Sequence, residues 1–176
     1  DNVKLMIPFC RTVAEAGTAI AALAANGLAR EIDPELECYL MAEVPSNVLL
    51  AEKFATLFDG FSIGSSDLAQ LTLGIDRGAS LVCDRFNEQD EAARIMIALM
   101  IEKANAAGKP VGFCGQAPSD DPGFAQFLVD KGINSISFHP DALLQGIENI
   151  LIAEAAAGKK AAAAASAEPA SARVHG

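Results

Sequence analysis

The sequence contains no tryptophan, one tyrosine and only two histidines among 176 residues. Its four cysteines (residues 10, 38, 83 and 114) lie far apart and form no Cys-x-x-Cys pair. A structural zinc site usually takes four Cys or His ligands in closely spaced pairs, so the pattern argues against such a site. The wide spacing also favours reduced thiols over a disulfide framework.

Positive charge is scarce as well. Lys and Arg together number 13 against 23 Asp and Glu, which gives a net charge of −10. Without a basic stripe to neutralise phosphates, we expect no nucleic-acid partner. No apolar run approaches the roughly 20 residues that a transmembrane helix needs, so we expect no membrane partner. No secretory signal is visible, and an acidic chain of this kind is expected in the cytoplasm.

Short apolar runs alternate with helical patterns along most of the chain. The runs predict five strands, at residues 4–9, 38–44, 60–64, 110–114 and 133–138. The intervening patterns predict helices at residues 12–27, 46–57, from 67, at 88–107, 121–132 and 140–155. Strands that alternate with helices predict an α/β fold with a parallel sheet and helices outside it. A complete (β/α)₈ barrel needs about 250 residues, so the five units fit either an open sheet or a piece of a larger barrel.

The end of the chain has a different composition. Residues 156–176 are rich in alanine and show no apolar periodicity. We therefore divide the sequence into a folded domain at residues 1–155 and a low-complexity tail at residues 156–176. The tail is expected to be a frayed helix that becomes disordered, and a helix docked on the surface is the alternative.

Several residues with functional groups lie at or just after the carboxyl ends of the predicted strands. They are Glu43, Asp67, Cys114, Gln116 and His139, with Gly115 beside the thiol. In parallel α/β folds, functional residues collect at these carboxyl ends. Two carboxylates without an intervening His or Cys suit a hard cation such as Mg²⁺, which also takes oxygen ligands from a substrate. The glycine next to Cys114 would let a substrate approach the thiol closely.

Each candidate also has a purely structural interpretation. Glu43 or Asp67 can cap the helix that follows it. Cys114 can be a small buried hydrophobic residue. Arg77 can form a loop ion pair, and His139 can be a helix-start residue. The residues alone therefore indicate a parallel α/β protein with a candidate Mg²⁺ site.

Four motifs add a more specific indication. They are MAEVP at residues 41–45, FSIGSSDLAQLT at 61–72, DRG at 76–78 and GFCGQ at 112–116. In this order they resemble the C-terminal barrel of the phosphoenolpyruvate-utilising enzymes. The resemblance covers about residues 3–152 and implies that the chain forms units four to eight of a phosphoenolpyruvate/pyruvate-type TIM barrel.

The resemblance also implies roles for individual residues. Glu43 and Asp67 correspond to ligands of Mg²⁺, and Cys114 corresponds to a thiol that exchanges a proton with the substrate. The implied substrate-binding residues are Ser66, Arg77, Gly115 and Gln116. The implied substrates are pyruvate and phosphoenolpyruvate, and the phosphoryl group would travel to and from a phosphohistidine on a separate domain.

Two features depart from a complete member of that family. The family usually has Asn where this chain has Ser66, and a hydroxyl lacks the second polar atom of the amide. The first three barrel units are absent, so we expect the chain alone to be inactive, with two open sheet edges that favour a homo-oligomer. The alternative is a non-catalytic dimerisation or interaction module derived from the barrel.

Overall fold

A five-stranded parallel sheet forms the centre of the protein. The computed structural model describes residues 3–76, 78–79 and 86–167, with side chains up to residue 159. The strands are β1 (Leu5–Ile7), β2 (Cys38–Ala42), β3 (Gly60–Gly64), β4 (Val111–Cys114) and β5 (Ser135–Ile136). Their order in the sheet is β1-β2-β3-β4-β5, and each neighbouring pair is parallel. The predicted α/β class and parallel sheet are confirmed.

Helices connect the strands. They are α1 (Val13–Ala25), α2 (Pro45–Leu49), α3 (Ala51–Phe54), α4 (Ser65–Leu73), α5 (Glu91–Ala106), α6 (Ala117–Asp120), α7 (Pro122–Asp130) and α8 (Leu143–Ala167), with a 3₁₀ turn at Pro140–Ala142. The single helix predicted at residues 46–57 is two short helices that meet at Leu50. A cause lies in α5, where the Lys103 ammonium donates a hydrogen bond to the Leu49 carbonyl at 3.0 Å.

The core lies on one face of the sheet. Side chains alternate along each strand, so Leu40, Phe61, Ile63 and Phe113 are all buried on the helix side. The opposite face is partly open, and Met6 is 43% exposed there. Parallel sheets are usually covered on both faces, so a parallel sheet with one partly open face is unusual.

The last helix is longer than predicted. Helix α8 continues to Ala167, whereas the sequence predicted its end near Ala155. Alanine has the highest helix propensity, so the Ala-rich stretch extends the helix without needing an apolar stripe. None of the described helices, α8 included, is long and apolar enough to cross a membrane.

Candidate functional site

A buried carboxylate, Glu43, directly follows β2. Its Oε1 accepts a hydrogen bond from the backbone N–H of Phe9 at 2.6 Å. Phe9 lies in the loop after β1 and has φ of 51°, a left-handed conformation that costs a residue with a side chain about 1–2 kcal/mol. Glu43 thus binds the neighbouring loop and does not cap α2. Strained backbone held by surrounding contacts is common at functional sites.

Two further side chains of the β2–α2 segment hold the same loop. Asn47, which is completely buried, donates from Nδ2 to the Cys10 carbonyl at 2.7 Å. The Ser46 hydroxyl donates to the Arg11 carbonyl at 2.6 Å. Together with the bond to Glu43, these contacts fix three consecutive backbone positions. The loop after β1 is therefore preorganised beside the end of β2.

The second predicted metal ligand, Asp67, lies in the first turn of α4, directly after β3. Burial raises the pKa of Glu43 above its usual range; the Phe9 N–H opposes this increase, and the negative charge of Asp67 adds to it. The negative charges of the two carboxylates therefore act on each other. A cation between them would relieve both the burial cost and the repulsion.

Glycine at position 64 makes room for this arrangement. A Cβ atom on Gly64 would lie 2.7 Å from Oε2 of Glu43 and 2.9 Å from its Cβ. No larger residue fits without moving the carboxylate.

The donor set fits Mg²⁺. Both candidate ligands offer carboxylate oxygens, the donors that Mg²⁺ prefers. Among the described residues, no group of three or more His, Cys, Asp or Glu could hold a metal ion. Glu43 and Asp67 would thus leave most coordination positions to water or substrate oxygens, which is the usual way that proteins bind Mg²⁺.

Ser66 contacts the carboxylate of Glu88, which is not among the predicted site residues. Glu88 accepts a hydrogen bond from the Ser66 hydroxyl through Oε1 and from the Ser65 hydroxyl through Oε2, the latter at 2.9 Å. The sequence placed Glu88 at the start of a helix, but α5 begins at Glu91. Only the folded chain shows which hydroxyls meet this carboxylate, because 22 residues separate it from Ser66.

Cys114, Gly115 and Gln116 lie together at the end of β4. The Cys114 side chain is exposed, so its interpretation as a buried hydrophobic residue is wrong. Cys114 pairs with Gly64 of the neighbouring strand, which places the thiol next to the segment that carries Asp67. A Cβ on Gly115 would lie 1.9 Å from the Ser65 Oγ, so the two segments touch at this point.

The remaining two candidates are Arg77 and His139. Arg77 lies outside the described residues. His139 precedes the 3₁₀ turn, and its Nδ1 accepts a hydrogen bond from the Asp141 backbone N–H at 3.4 Å. This contact confirms the helix-start interpretation of His139.

A known protein family matches nearly the whole chain. The profile described as "PEP-utilising enzyme, PEP-binding domain" matches residues 1–154. Phosphoenolpyruvate synthase of Deinococcus radiodurans is 55% identical over 143 residues, which are 81% of this chain and 18% of that protein. Phosphoenolpyruvate synthase of Escherichia coli K12 is 46% identical over 144 residues, 82% of this chain and 18% of the relative. The chain thus spans less than a fifth of the length of these curated relatives.

Solved structures share the fold at low identity. An HpcH/HpaI aldolase from Desulfitobacterium hafniense aligns with a TM-score of 0.56 and 17% identity, over 84% of this chain and 63% of the aldolase. A pyruvate kinase from Cryptosporidium parvum aligns with a TM-score of 0.59 and 13% identity, over 83% of this chain and 31% of the kinase. Both are TIM barrels, and the alignments show that the five βα units have barrel architecture.

Proposed function

Because the chain belongs to the phosphoenolpyruvate-utilising enzymes, through their PEP-binding domain, we propose that it forms the Mg²⁺ half of a pyruvate and phosphoenolpyruvate site. The observation that carries the proposal is the pair of carboxylates, Glu43 and Asp67, at neighbouring strand ends with a raised pKa at Glu43. Cys114 lies at the end of the next strand. A metal held by Glu43 and Asp67 and the thiol of Cys114 could therefore contact the same small substrate.

Each residue of this half-site has a distinct proposed task. Glu43 and Asp67 would hold Mg²⁺, and the bound ion supplies stabilisation for negative charge on the substrate oxygens. The Cys114 thiol would exchange a proton with the substrate methyl or methylene carbon, which its exposure allows. Residues that would bind and orient the substrate are Ser66, Arg77, Gly115 and Gln116. An arginine at position 77 suits a phosphoryl group because its planar fork can donate two parallel hydrogen bonds.

The subtype we propose is phosphoenolpyruvate synthase, which converts pyruvate, ATP and water to phosphoenolpyruvate, AMP and phosphate. Relatives of that name are 46–55% identical to this chain. Cys114-Gly115-Gln116 also resembles the synthases, whereas pyruvate phosphate dikinase and enzyme I of the sugar phosphotransferase system usually have Cys-Gly-Glu. Those two enzymes are the nearest alternatives.

The overall reaction needs more than these residues. We propose that a phosphohistidine domain and an ATP-binding domain of a longer cytoplasmic protein complete it. Since the relatives are more than five times as long as the matched segment, the chain alone is expected to be inactive.

A non-catalytic assembly module is the second candidate. Helix α8 exposes several apolar side chains, namely Leu143, Leu144, Ile147, Leu151 and Ile152. β1 and β5 lie at the two edges of the described sheet, where an added strand could pair. These features favour association with another protein surface, including a second copy of the chain.

Isothermal titration calorimetry with Mg²⁺ and oxalate, a mimic of pyruvate enolate, tests the first proposal. We expect metal-dependent oxalate binding that is lost in Glu43→Gln/Asp67→Asn. The matched control is Glu91→Gln/Glu102→Gln, which removes two carboxylates from exposed positions of α5 and should bind like the native chain. A folded native chain that binds no oxalate, or a double variant that binds normally, would contradict the proposal and leave assembly as the better candidate.

A further inference from the structure

Glu88 connects two segments that are distant in sequence. It lies before α5, and its carboxylate reaches the first turn of α4, where Ser65 and Ser66 stand. Each of its oxygens accepts one hydroxyl, with Ser65 Oγ 2.9 Å from Oε2 and Ser66 Oγ bonded to Oε1. The next residue along α4 is Asp67, the proposed metal ligand. Glu88 therefore binds the turn of α4 that carries Asp67.

The chemistry of this contact determines which way the two serine hydroxyls donate. A serine hydroxyl has one proton to donate, and a carboxylate is the stronger acceptor for it than a neutral carbonyl. Ser65 has such a carbonyl nearby, that of Cys114 at 3.4 Å. With Glu88 present, both hydroxyl protons point to one carboxylate, so both serine side chains have a defined orientation.

Packing restricts the same turn from the other side. Ser65 is completely buried. A Cβ atom on Gly115 would lie 1.9 Å from the Ser65 Oγ and 3.2 Å from Oε2 of Glu88. The end of β4 thus closes against the serine–glutamate contact and leaves little freedom for the hydroxyl.

Stabilising the start of α5 does not account for Glu88. Asp90 caps that helix, and its side chain accepts a hydrogen bond from the Ala92 N–H at 2.9 Å. The carboxylate of Glu88 instead turns away from its own helix toward α4.

We infer that Glu88 is a positioning residue, which acts through Ser65 and Ser66 to hold the first turn of α4 in the geometry that ligand binding needs. The inference rests on the proposed function for the nature of the ligand, Mg²⁺ with a pyruvate-like dianion. In this role, the effect of Glu88 reaches the ligand through the orientation of Ser66 and of the adjoining Asp67.

The test compares Glu88→Ala with Glu88→Gln in the full 176-residue chain. Both changes remove the negative charge, but only Gln keeps a group that can accept from one serine and donate to the other. The difference between the two variants therefore reports the hydrogen bonds together with the packing of the longer side chain, and a background without the two serine hydroxyls separates these two contributions. Glu91→Gln, an exposed change in the first turn of α5, is the control.

The first readout needs no ligand. Hydrogen exchange is measured at the amides of residues 69–71, which bond to the carbonyls of residues 65–67 in an α-helix. We expect exchange about tenfold faster in Glu88→Ala than in the native chain, with protection largely restored in Glu88→Gln, because local opening follows the loss of local contacts. Equal exchange in the two variants would overturn the inference.

The second readout is oxalate affinity in the presence of Mg²⁺. We expect about a tenfold weaker affinity in Glu88→Ala than in Glu88→Gln, because Gln keeps neutral hydrogen bonds to Ser65 and Ser66 that Ala lacks, and the loss of one or two such bonds is of that order. In a Ser65→Ala/Ser66→Ala background the two variants should bind alike, because the partners of residue 88 are gone. A difference that persists in this background would show that Glu88 acts by another route and would overturn the inference.

The two proposals fail in different ways. A native chain that binds no oxalate contradicts the proposed function of this chain, and hydrogen exchange then decides the role of Glu88. Normal oxalate binding with identical Ala and Gln variants contradicts only the role of Glu88. If Glu88→Ala does not fold, hydrogen exchange is measured instead in Ser65→Ala/Ser66→Ala, which removes the same two hydrogen bonds, and exchange as slow as in the native chain would overturn the inference.

Discussion

The Phe9 N–H donates a 2.6 Å hydrogen bond to Oε1 of Glu43, and Phe9 adopts φ of 51° in making it. Glu43→Ala would leave this N–H without its acceptor, so we expect the free energy of unfolding to fall by about 1–3 kcal/mol. Glu43→Gln retains an acceptor oxygen and removes a buried charge, and its loss should be smaller. Urea unfolding measures the free energy of unfolding of both variants. Equal losses in the two would show that the hydrogen bond from Phe9 does not contribute to stability. Metal-dependent oxalate binding should disappear in both variants.

Gly64→Ala should damage the site without a change of charge. The new Cβ would lie 2.7 Å from Oε2 of Glu43, so the carboxylate must move. We expect weaker Mg²⁺-dependent oxalate binding in calorimetry. Gly17→Ala is the control, because nothing lies within 4 Å of its new Cβ in the exposed middle of α1. There, alanine should raise the free energy of unfolding by about 0.5–1 kcal/mol and leave binding unchanged.

Ser66→Asn should increase oxalate affinity. The single hydroxyl proton of Ser66 is donated to Glu88, whereas an Asn amide has two N–H protons. One can bond to Glu88 while the other faces the ligand. A hydrogen bond contributes about 0.5–1.5 kcal/mol, so we expect an affinity increase of about two- to tenfold. Unchanged affinity in calorimetry would mean that residue 66 does not contact the ligand.

The described cysteines should differ in reactivity. Cys114 is exposed, whereas Cys10 and Cys38 are buried and burial raises the pKa of both thiols above the ordinary value of 9.0. Because the thiolate is the reactive form, iodoacetamide at pH 8 should modify Cys114 well before the other two. Mass spectrometry of timed samples measures the order. Guanidinium should abolish the difference, and bound Mg²⁺–oxalate should protect Cys114.

The same raised pKa values predict the direction of a pH effect on stability. A thiol with a higher pKa in the folded state holds its proton more tightly there than in the unfolded chain. The stability that such a thiol contributes is therefore fully present below its unfolded pKa of about 9. It declines as the pH rises through the pKa of the folded state. Thermal unfolding between pH 8 and 10.5 should show a shallower decline for Cys10→Ala than for the native chain. Parallel declines would contradict a raised pKa at Cys10.

The bounds of a strand or helix could be predicted from the sequence where the local residue pattern and the flanking residues agree. The strand at residues 60–64 has the predicted bounds, because glycines flank an apolar run. Parallel topology predicted that Asp67 and Cys114 lie at the same edge of the sheet, and the strand pairing shows that they follow neighbouring strands. The break at Leu50 and the contact between Ser66 and Glu88 could not be predicted, since both depend on side chains that arrive from α5 or from the segment before it. Arg77 stays a prediction.

The strand order β1-β2-β3-β4-β5 has a consequence for how such a protein can evolve. Every strand pairs with its neighbour in the sequence, so a cut between two βα units breaks a single strand pairing in the sheet. Recombination at such a cut exchanges whole units together with the residues at their strand ends. The carboxylate after β2, the carboxylate after β3 and the thiol after β4 therefore lie on separate units, and each unit alone determines the strand end at which its residue lies.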